Sequence, residues 1–420
     1  MNFRLMTAGL LMTFSLATAP AAADQPNVVM IIGDDQAWGD FGFMGHEVIR
    51  TPNIDRLASQ SLVFTRGYVP SSLCRPSLAS MATGLYPHQH KITSNDPPRG
   101  TAGRPQIANI DRLPTLPRLL AEKGYVSLQT GKWWEGHYSR GGFTSGMTRG
   151  YPKPGGRHGD AGLTIGRKGM GPIFDFIDSA GRRPFFIWYA PFLPHSPHNP
   201  PKELLDKYCD KTESIHVARY WAMCEWFDRT CGQLLDYLDK KKLAENTLVV
   251  FVTDNGWIQR PDSPRYAPRS KQSPNEGGIR TPIMLRWPGR IEPKTDGQTP
   301  VISIDLAPTI LNACGLKPTS EMQGVNLLDT EAPQRREAVF GEIFTHNAVK
   351  VNQPASSLRY RWCIRQEWKL IVPQAANEPD KQTQLYDIEA DPHETKDLAP
   401  QQPERVKRLR EKIGAWWPLP

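Results

Sequence analysis

The chain has 420 residues, 39% of them hydrophobic, and a formal net charge of +8. That length and apolar content exclude a small stapled module or a disordered tail and call for a large core, most simply a main domain with a smaller one. The basic residues are scattered, with no run beyond Lys240-Lys241-Lys242, which argues against a nucleic-acid groove and for an anionic substrate.

Arg4, the apolar run Leu5 to Ala17 and Ala21-Ala22-Ala23 read as a signal peptide over residues 1–23, with export to the periplasm or beyond. That run is shorter than the roughly 20 residues of a bilayer span, and no later segment is long and apolar enough, so no membrane span is expected.

Asn27 to Ile32 (NVVMII) is a continuous apolar, β-branched run, the pattern of a buried parallel strand. A helix follows from Thr51 to about Ser59, and Leu62 to Tyr68 is a second strand. Cys74 opens a small-residue helix ending at Thr83-Gly84, with Pro76 in its first turn and Gly84 as a C-terminal cap. Tyr125 to Thr130 is a strand ending at Gly131-Lys132. The stretch from Gly136 to Gly171 is rich in Gly and Arg, lacks periodicity and reads as a long ordered surface loop. Pro184 to Ala190 and Thr247 to Thr253 are strong buried strands, with the longest helix, Glu213 to Lys240, between them. Ile283 to Trp287 is a short strand and Ile304 to Cys314 a helix.

Strands alternating with helices predict an α/β fold, a large doubly wound mixed or parallel sheet flanked by helices, over residues 24–330. From 331 to 420 the texture changes to short antiparallel strands (338–343, 360–364, 368–372, 384–388) and a last helix, Pro403 to Trp416, a smaller α+β subdomain. The six cysteines form no paired zinc pattern; Cys209 with Cys224 or Cys231 is a possible bridge in an exported protein.

Ligands of open α/β sheets bind beyond the carboxyl ends of strands. Asp34-Asp35 and Asp254-Asn255 both follow buried strands there, and their oxygens suit a hard cation such as Ca2+ or Mg2+. Cys74 starts a helix, an anion-seeking terminus, and beside a cation site it is a candidate nucleophile. Lys132, His195 and His198 follow strands at the same end, and Lys271 could reach it from a loop. An anion with a metal on one side and Lys and His on the other fits such a site.

These blocks, from NVVMIIGDDQAWGDFG through LCRPSLASMATGLYPHQH, TGKWW, PFFIWYAPFLPHSPHNPP, VVFVTDNGW and KQSPNEGGIRTP to LYDIEADPHETKDLA, resemble the type I sulfatase family of the alkaline-phosphatase superfamily. The resemblance implies hydrolysis of sulfate esters, with Cys74 converted by a formylglycine-generating maturation enzyme to Cα-formylglycine. Its aldehyde hydrate would attack sulfur and split one displacement into two steps. It also implies one Ca2+ held by Asp34, Asp35, Asp254 and Asn255 and touching residue 74, with Lys132 and Lys271 on the sulfate. His198 would occupy the His-x-Pro position that contacts sulfate and protonates the leaving oxygen, with His195 a second candidate.

Two positions depart from the family pattern. Its Cys-x-Pro-Ser-Arg signature ends here in Leu78, and Arg75, one residue from Cys74, points about 100° around the helix and is no simple substitute. Trp134 stands where the family often has His, and His137, His158 or Arg140 could compensate from the glycine-rich loop. That loop, with Arg140, Arg149, Arg157 and Arg167, is the expected pocket wall, and Arg280 is a further substrate-binding candidate. Trp133, Trp134 and Trp257 are either sugar-stacking platforms or core. A sulfated small molecule or polysaccharide is the expected substrate. Two alternatives stay open: a phosphodiesterase or phosphonate hydrolase of the same superfamily, or a non-catalytic protein that binds a sulfated glycan.

Overall fold

A computed structural model describes residues 25–150 and 156–419. The signal-peptide reading of residues 1–23 lies outside these described residues. No helix among them is long and apolar enough to cross a membrane.

Nine strands form the main sheet: β1 (Asn27–Gly33), β2 (Leu62–Tyr68), β3 (Val126–Gly131), β4 (Ser145–Gly146), β5 (Phe185–Ala190), β6 (Thr247–Thr253), β7 (Arg280–Arg286), β8 (Lys294–Asp296) and β9 (Val301–Ile302). Their order is β4-β3-β5-β1-β6-β7-β2-β8, with β9 also on β2. β1 lies parallel between β5 and β6, and all three are fully buried. Strands covered on both faces need apolar side chains pointing both ways, hence NVVMIIG, FFIWYA and TLVVFVT without alternation. β7 runs antiparallel to both β6 and β2, which makes the sheet mixed.

The helices follow the sequence reading closely. The long helix spans Ile215–Lys240, with the Ser214 hydroxyl accepting from the Val217 N–H at its start. Two residues of the expected helix from Ile304 are instead part of a 3₁₀ turn, Ser303–Asp305, before the helix Leu306–Ala313. The stretch from Gly136 to Gly171 carries β4 and 3₁₀ turns at Tyr138–Gly141, Gly156–Gly159 and Ala161–Thr164; residues 151–155 lie outside the described residues.

A second, antiparallel sheet runs in the order β10 (Val339–Phe344), β11 (Leu358–Arg365), β12 (Trp368–Pro373), β13 (Gln384–Asp387). The helix Pro403–Trp416 packs Leu409 and Ile413 against it. One face of this sheet forms its own cluster with that helix, and the other joins the main core. Val339, Trp362, Ile364 and Ile371 belong to the same buried cluster as Val28, Met30 and Leu78. A buried polar anchor joins them as well. Lys369 Nζ, on β12, lies 2.9 Å from Glu276 Oε1 and 2.8 Å from Glu394 Oε1. Glu394 Oε2 accepts from the Glu276 N–H (2.9 Å) and from Asn275 Nδ2 (2.8 Å).

The expected bridge between Cys209 and Cys224 or Cys231 is not formed, and all six cysteines are free. Cys224 and Cys231 sit inside hydrophobic clusters along the long helix, whereas Cys209 is exposed.

Candidate active site

The site lies where β1, β3, β5 and β6 end. β1 delivers Asp34 and Asp35, and β6 delivers Asp254 and Asn255; Gly33 pairs with Thr253, so the two acidic steps leave the sheet side by side. Asp35 adopts a left-handed backbone (φ 61°), a strained conformation for a residue with a side chain. β3 ends at Gly131, where a Cβ would fall 1.8 Å from the Ala190 carbonyl oxygen. Only glycine allows that approach, and it lets the next residue, Lys132, enter the site. Residue 74 comes from the first turn of the helix Cys74–Thr83.

Lys132 Nζ is 2.5 Å from Asp34 Oδ1 and 3.6 Å from Asp254 Oδ2. Lys271 Nζ is 2.5 and 2.6 Å from the two oxygens of Asp35 and 3.0 Å from Cys74 Sγ. Asn255 Nδ2 donates to Asp35 Oδ1 at 2.7 Å, and His195 Nε2 is 3.3 Å from Asp35 Oδ2. Ligand atoms of Asp34, Asp35, Cys74 and His195 all lie within 4.8 Å of one another.

The electrostatics are those of a site short of positive charge. Three carboxylates (Asp34, Asp35, Asp254) face two ammonium groups. Burial, reinforced by Asp254 and Asp35, pushes Asp34 well above the usual carboxylate range. Against the same burial, Lys271 and His195 hold Asp35 low. Burial raises the Cys74 thiol to about 12, so it is protonated at neutral pH. Burial, with Lys132 nearby, pushes His195 well below its ordinary range. Asp34 Oδ2, Asp254 Oδ2 and Asn255 Oδ1 are buried without hydrogen-bond partners. Buried oxygens are rarely left so, and these three point to a hard cation as their missing partner.

His195 and His198 differ in placement. His195 stacks on Phe192 (4.2 Å between ring centres) and reaches Asp35. His198 lies farther along the loop, against Tyr220 (5.3 Å) and Trp257 (5.7 Å), with both ring nitrogens unpartnered, and burial lowers its pKa to about 4. The loop is held by Arg167, which donates to the carbonyls of Phe192 (2.8 Å) and His195 (3.0 Å) and to Asn199 Oδ1 (2.6 Å).

The expected pocket wall is only partly assembled. Trp134 flanks the site: Lys132 Nζ sits 5.6 Å from its ring centre, and His158 lies 6.1 Å from it and 5.9 Å from Phe192. Of the three candidates to compensate for the missing histidine, His158 alone meets this aromatic row. His137 is turned into its own 3₁₀ turn, where its Nδ1 accepts from the Ser139 N–H, and Arg140 pairs with Asp111 at 2.5 Å. Arg280 is also placed elsewhere, with its guanidinium 4.0 Å from the Trp38 ring centre and its Nε donating to the Thr65 carbonyl. Trp133 is core, packed on Phe143 and Trp188, whereas Trp257 is buried with Lys271 Nζ 5.8 Å from its ring centre.

The two departures from the family signature also acquire physical content. Leu78 is 3% exposed and packs in the main core. Arg75 does not turn toward Cys74. Its Nε and Nη2 grip the two oxygens of Glu135 at 2.5 and 2.8 Å, and Nη1 donates to Gln106 at 3.1 Å. This buried fork ties the helix headed by Cys74 to the segment carrying Lys132. Glu135, Phe192 and the anchoring role of Arg167 escape a sequence reading, because none lies in a charged cluster or a recognisable spacing.

Residues 26–316 match the Sulfatase family, and residues 270–415 match the C-terminal region of N-sulphoglucosamine sulphohydrolase. N-acetylgalactosamine-6-sulfatase of Canis lupus familiaris is 30% identical over 358 residues, 74% of this chain and 66% of the relative. Arylsulfatase A of Bos taurus is 30% identical over 371 residues, 75% of this chain and 69% of the relative. The chain thus spans about two thirds of the length of these curated relatives. The crystal structure of Ps i-CgsB in complex with k-i-k-neocarrahexaose superposes with a TM-score of 0.76 at 25% identity, covering 93% of this chain and 92% of that one. With the Sulfatase match running over residues 26–316, more than half of its length, the chain belongs to the sulfatase family.

Proposed function

We propose that the protein hydrolyses sulfate esters of a carbohydrate, with residue 74 acting as formylglycine beside one calcium ion. The observation that carries this reading is the position of Lys132 and Lys271 around Cys74, within a cluster whose carboxylates outnumber its cations. Asp34, Asp35, Asp254 and Asn255 would hold Ca2+; the orphaned buried oxygens of Asp34, Asp254 and Asn255 and the all-oxygen donor set fit it. When bound, the ion supplies positive charge that draws in a sulfate and polarises its S–O bonds, and a formylglycine hydrate supplies an oxygen nucleophile where the thiol sulfur now stands. With a divalent cation added, the five charged side chains sum to a net positive site, which suits a sulfate ester.

The chain's own groups do the rest. Lys132 and Lys271 would bind sulfate oxygens and orient the sulfur toward residue 74. The Ser196 carbonyl, 2.5 Å from His195 Nδ1, can only accept a hydrogen bond, so Nδ1 carries the proton and Nε2 faces the reacting centre. Acting as the acid would require a second proton on Nε2, taken up beside Asp35 and the anionic ester; the imidazolium would pass that proton to the departing alcohol oxygen and return to the neutral form. Phe192 and Trp134 wall this edge and limit water. The names of the relatives, N-acetylgalactosamine-6-sulfatase and a structure holding neocarrahexaose, favour a sugar as the alcohol.

The test is mass measurement of the peptide bearing residue 74, from protein made in its native host, alongside sulfate release from sulfated sugars. A mass about 18 Da below the cysteine form, with sulfate release, supports the reading. An intact thiol without turnover would instead make the pocket a recognition site for sulfated glycans.

A further inference from the structure

Lys271 sits at the tip of a β-turn. The Ser273 N–H donates to the Ser270 carbonyl (3.1 Å), so Lys271 and Gln272 are the two central residues. Gln272 has a positive φ of 64° there, a place that such turns usually give to glycine or asparagine. Arg269, two residues before Lys271, is left-handed as well (φ 61°). Such conformations cost free energy and last only where the surroundings over-determine them. Gln272 is fixed in this way through all of its polar groups but one side-chain oxygen. Its N–H donates to the Ser72 carbonyl (3.0 Å), two residues ahead of Cys74, and its Nε2 to the Tyr266 hydroxyl (2.6 Å). Its carbonyl accepts from Nη1 of Arg359 (2.9 Å), which lies on β11 of the second sheet. Arg359 is itself aimed: its Nε lies 2.5 Å from Glu378 Oε1, and the Tyr360 hydroxyl donates to Glu378 Oε2 (2.8 Å). Arg269 is tied to the same part of the chain, with Nη2 donating to the His393 carbonyl (3.1 Å).

We propose that Arg359 is a positioning residue for Lys271, holding the Gln272 carbonyl so that the strained turn keeps the ammonium group against Asp35 and residue 74. This deepens the sulfatase reading and, for its effect on turnover, rests on it. Relaxation of Gln272 to a negative φ would turn the chain beside Lys271 and carry that side chain with it. The Gln272 carbonyl would then leave Arg359, so the hydrogen bond opposes the relaxation. Lys271 Nζ makes contacts of 2.5, 2.6 and 3.0 Å with Asp35 and Cys74, which leaves little room for movement. A guanidinium suits the task because one rigid fork addresses the Glu378 carboxylate and the Gln272 carbonyl at once.

The experiment is acetylation footprinting with acetic anhydride, read by peptide mass, because it reports on Lys271 without any turnover. In the wild-type protein Lys271, 8% exposed, should be labelled slowly. In Arg359→Ala its labelling should rise severalfold while Lys132 stays protected. The deciding variant is Gln272→Gly, since glycine takes a positive φ without strain. On that background Arg359→Ala should change Lys271 labelling by less than about twofold, because coupled sites do not add. Release of sulfate from N-acetylgalactosamine 6-sulfate should follow the labelling. Its kcat/KM should fall about tenfold or more in Arg359→Ala, as for a group displaced by about an ångström, and change little when the same substitution is made on Gln272→Gly. If Arg359→Ala does not fold, Gln272→Val tests the turn with Arg359 intact; a β-branched residue resists that φ and should expose Lys271. Unchanged Lys271 labelling, equal rises at Lys132 and Lys271, or an Arg359→Ala effect as large on Gln272→Gly would overturn the clamp. Absence of sulfate release from the wild-type protein would count against the sulfatase reading alone, with the labelling contrast still deciding the role of Arg359.

Discussion

Lys271 Nζ lies 3.0 Å from Cys74 Sγ while it holds both oxygens of Asp35. One ammonium group therefore couples the Asp35 carboxylate to the side chain of residue 74. Lys271→Ala should lower kcat/KM for sulfate ester hydrolysis by about 10²–10³, the loss typical of one charge-stabilising donor. Lys271→Arg should not restore it, since a planar fork does not fit where a point charge is used. Wild-type rates in either variant, with circular dichroism showing both folded, would place Lys271 outside the chemistry.

Removal of the proposed cation provides a second check. A ligand present at about 100 times its Kd adds about 2.7 kcal/mol of stability, so chelation should lower the melting temperature by several degrees and abolish turnover. Calcium should restore both better than zinc, given the all-oxygen donor set. Asp254→Ala should melt at one temperature with or without the chelator. A chelator-sensitive Asp254→Ala would move the ion elsewhere.

The Arg75–Glu135 fork is buried on both sides, with side-chain exposures of 0% and 3%. Glu135→Gln leaves the guanidinium without its charge partner and should cost about 3–5 kcal/mol, read as a shift in the urea midpoint. Because the fork joins the Cys74 helix to the Lys132 segment, turnover should fall as well. The double variant Arg75→Met/Glu135→Leu should recover much of the stability but not the turnover. Recovery of both would make the fork a packing feature alone.

Asp40 should make stability pH-dependent. Burial pushes its carboxyl up to about 7 from an ordinary value of 3.8, although Tyr220 donates to it at 2.5 Å. A folded-state pKa above the unfolded one means that folding takes up a proton between those values. This contribution is full below about 3.8 and is lost as pH rises through about 7. Asp40→Asn should therefore narrow the difference in melting temperature between pH 5 and pH 8. An unchanged difference would assign the pH dependence to another group.

Much of this was legible in the residues themselves. Strands β1, β5 and β6 are buried on both faces, and burial of that kind writes itself as unbroken apolar runs. The edge strands β4, β8 and β9 are two or three residues long and carry no such pattern. Asp34, Asp35, Asp254 and Asn255 stood out because each pair directly follows a buried strand. The choice between His195 and His198 did not, since both sit in one proline-rich loop whose orientation is set by Arg167, distant in sequence. Lys271 lay beyond spacing arguments because Arg269 and Gln272 beside it take left-handed backbones (φ 61° and 64°), conformations that neither residue type announces. Arg280 misled for the opposite reason. It stands at the right end of the sheet, but its side chain is stacked on Trp38.

The anchor formed by Lys369, Glu394 and Glu276 sets an order of events during synthesis. The segment between Asn255 and Glu276, which carries Lys271, is pinned at its far end by side chains 93 and 118 positions downstream of Glu276. A ribosome delivers β1 to β7 long before those side chains exist, and contacts of such separation close late. Until then Glu276 has no cation from β12 to balance it, and the Lys271 segment has no fixed end. The reactive centre is therefore among the last parts of the molecule to take shape. A chain released before residue 369 would carry Asp34, Asp35, Asp254 and Asn255 and still lack the brace at the far end of the Lys271 segment.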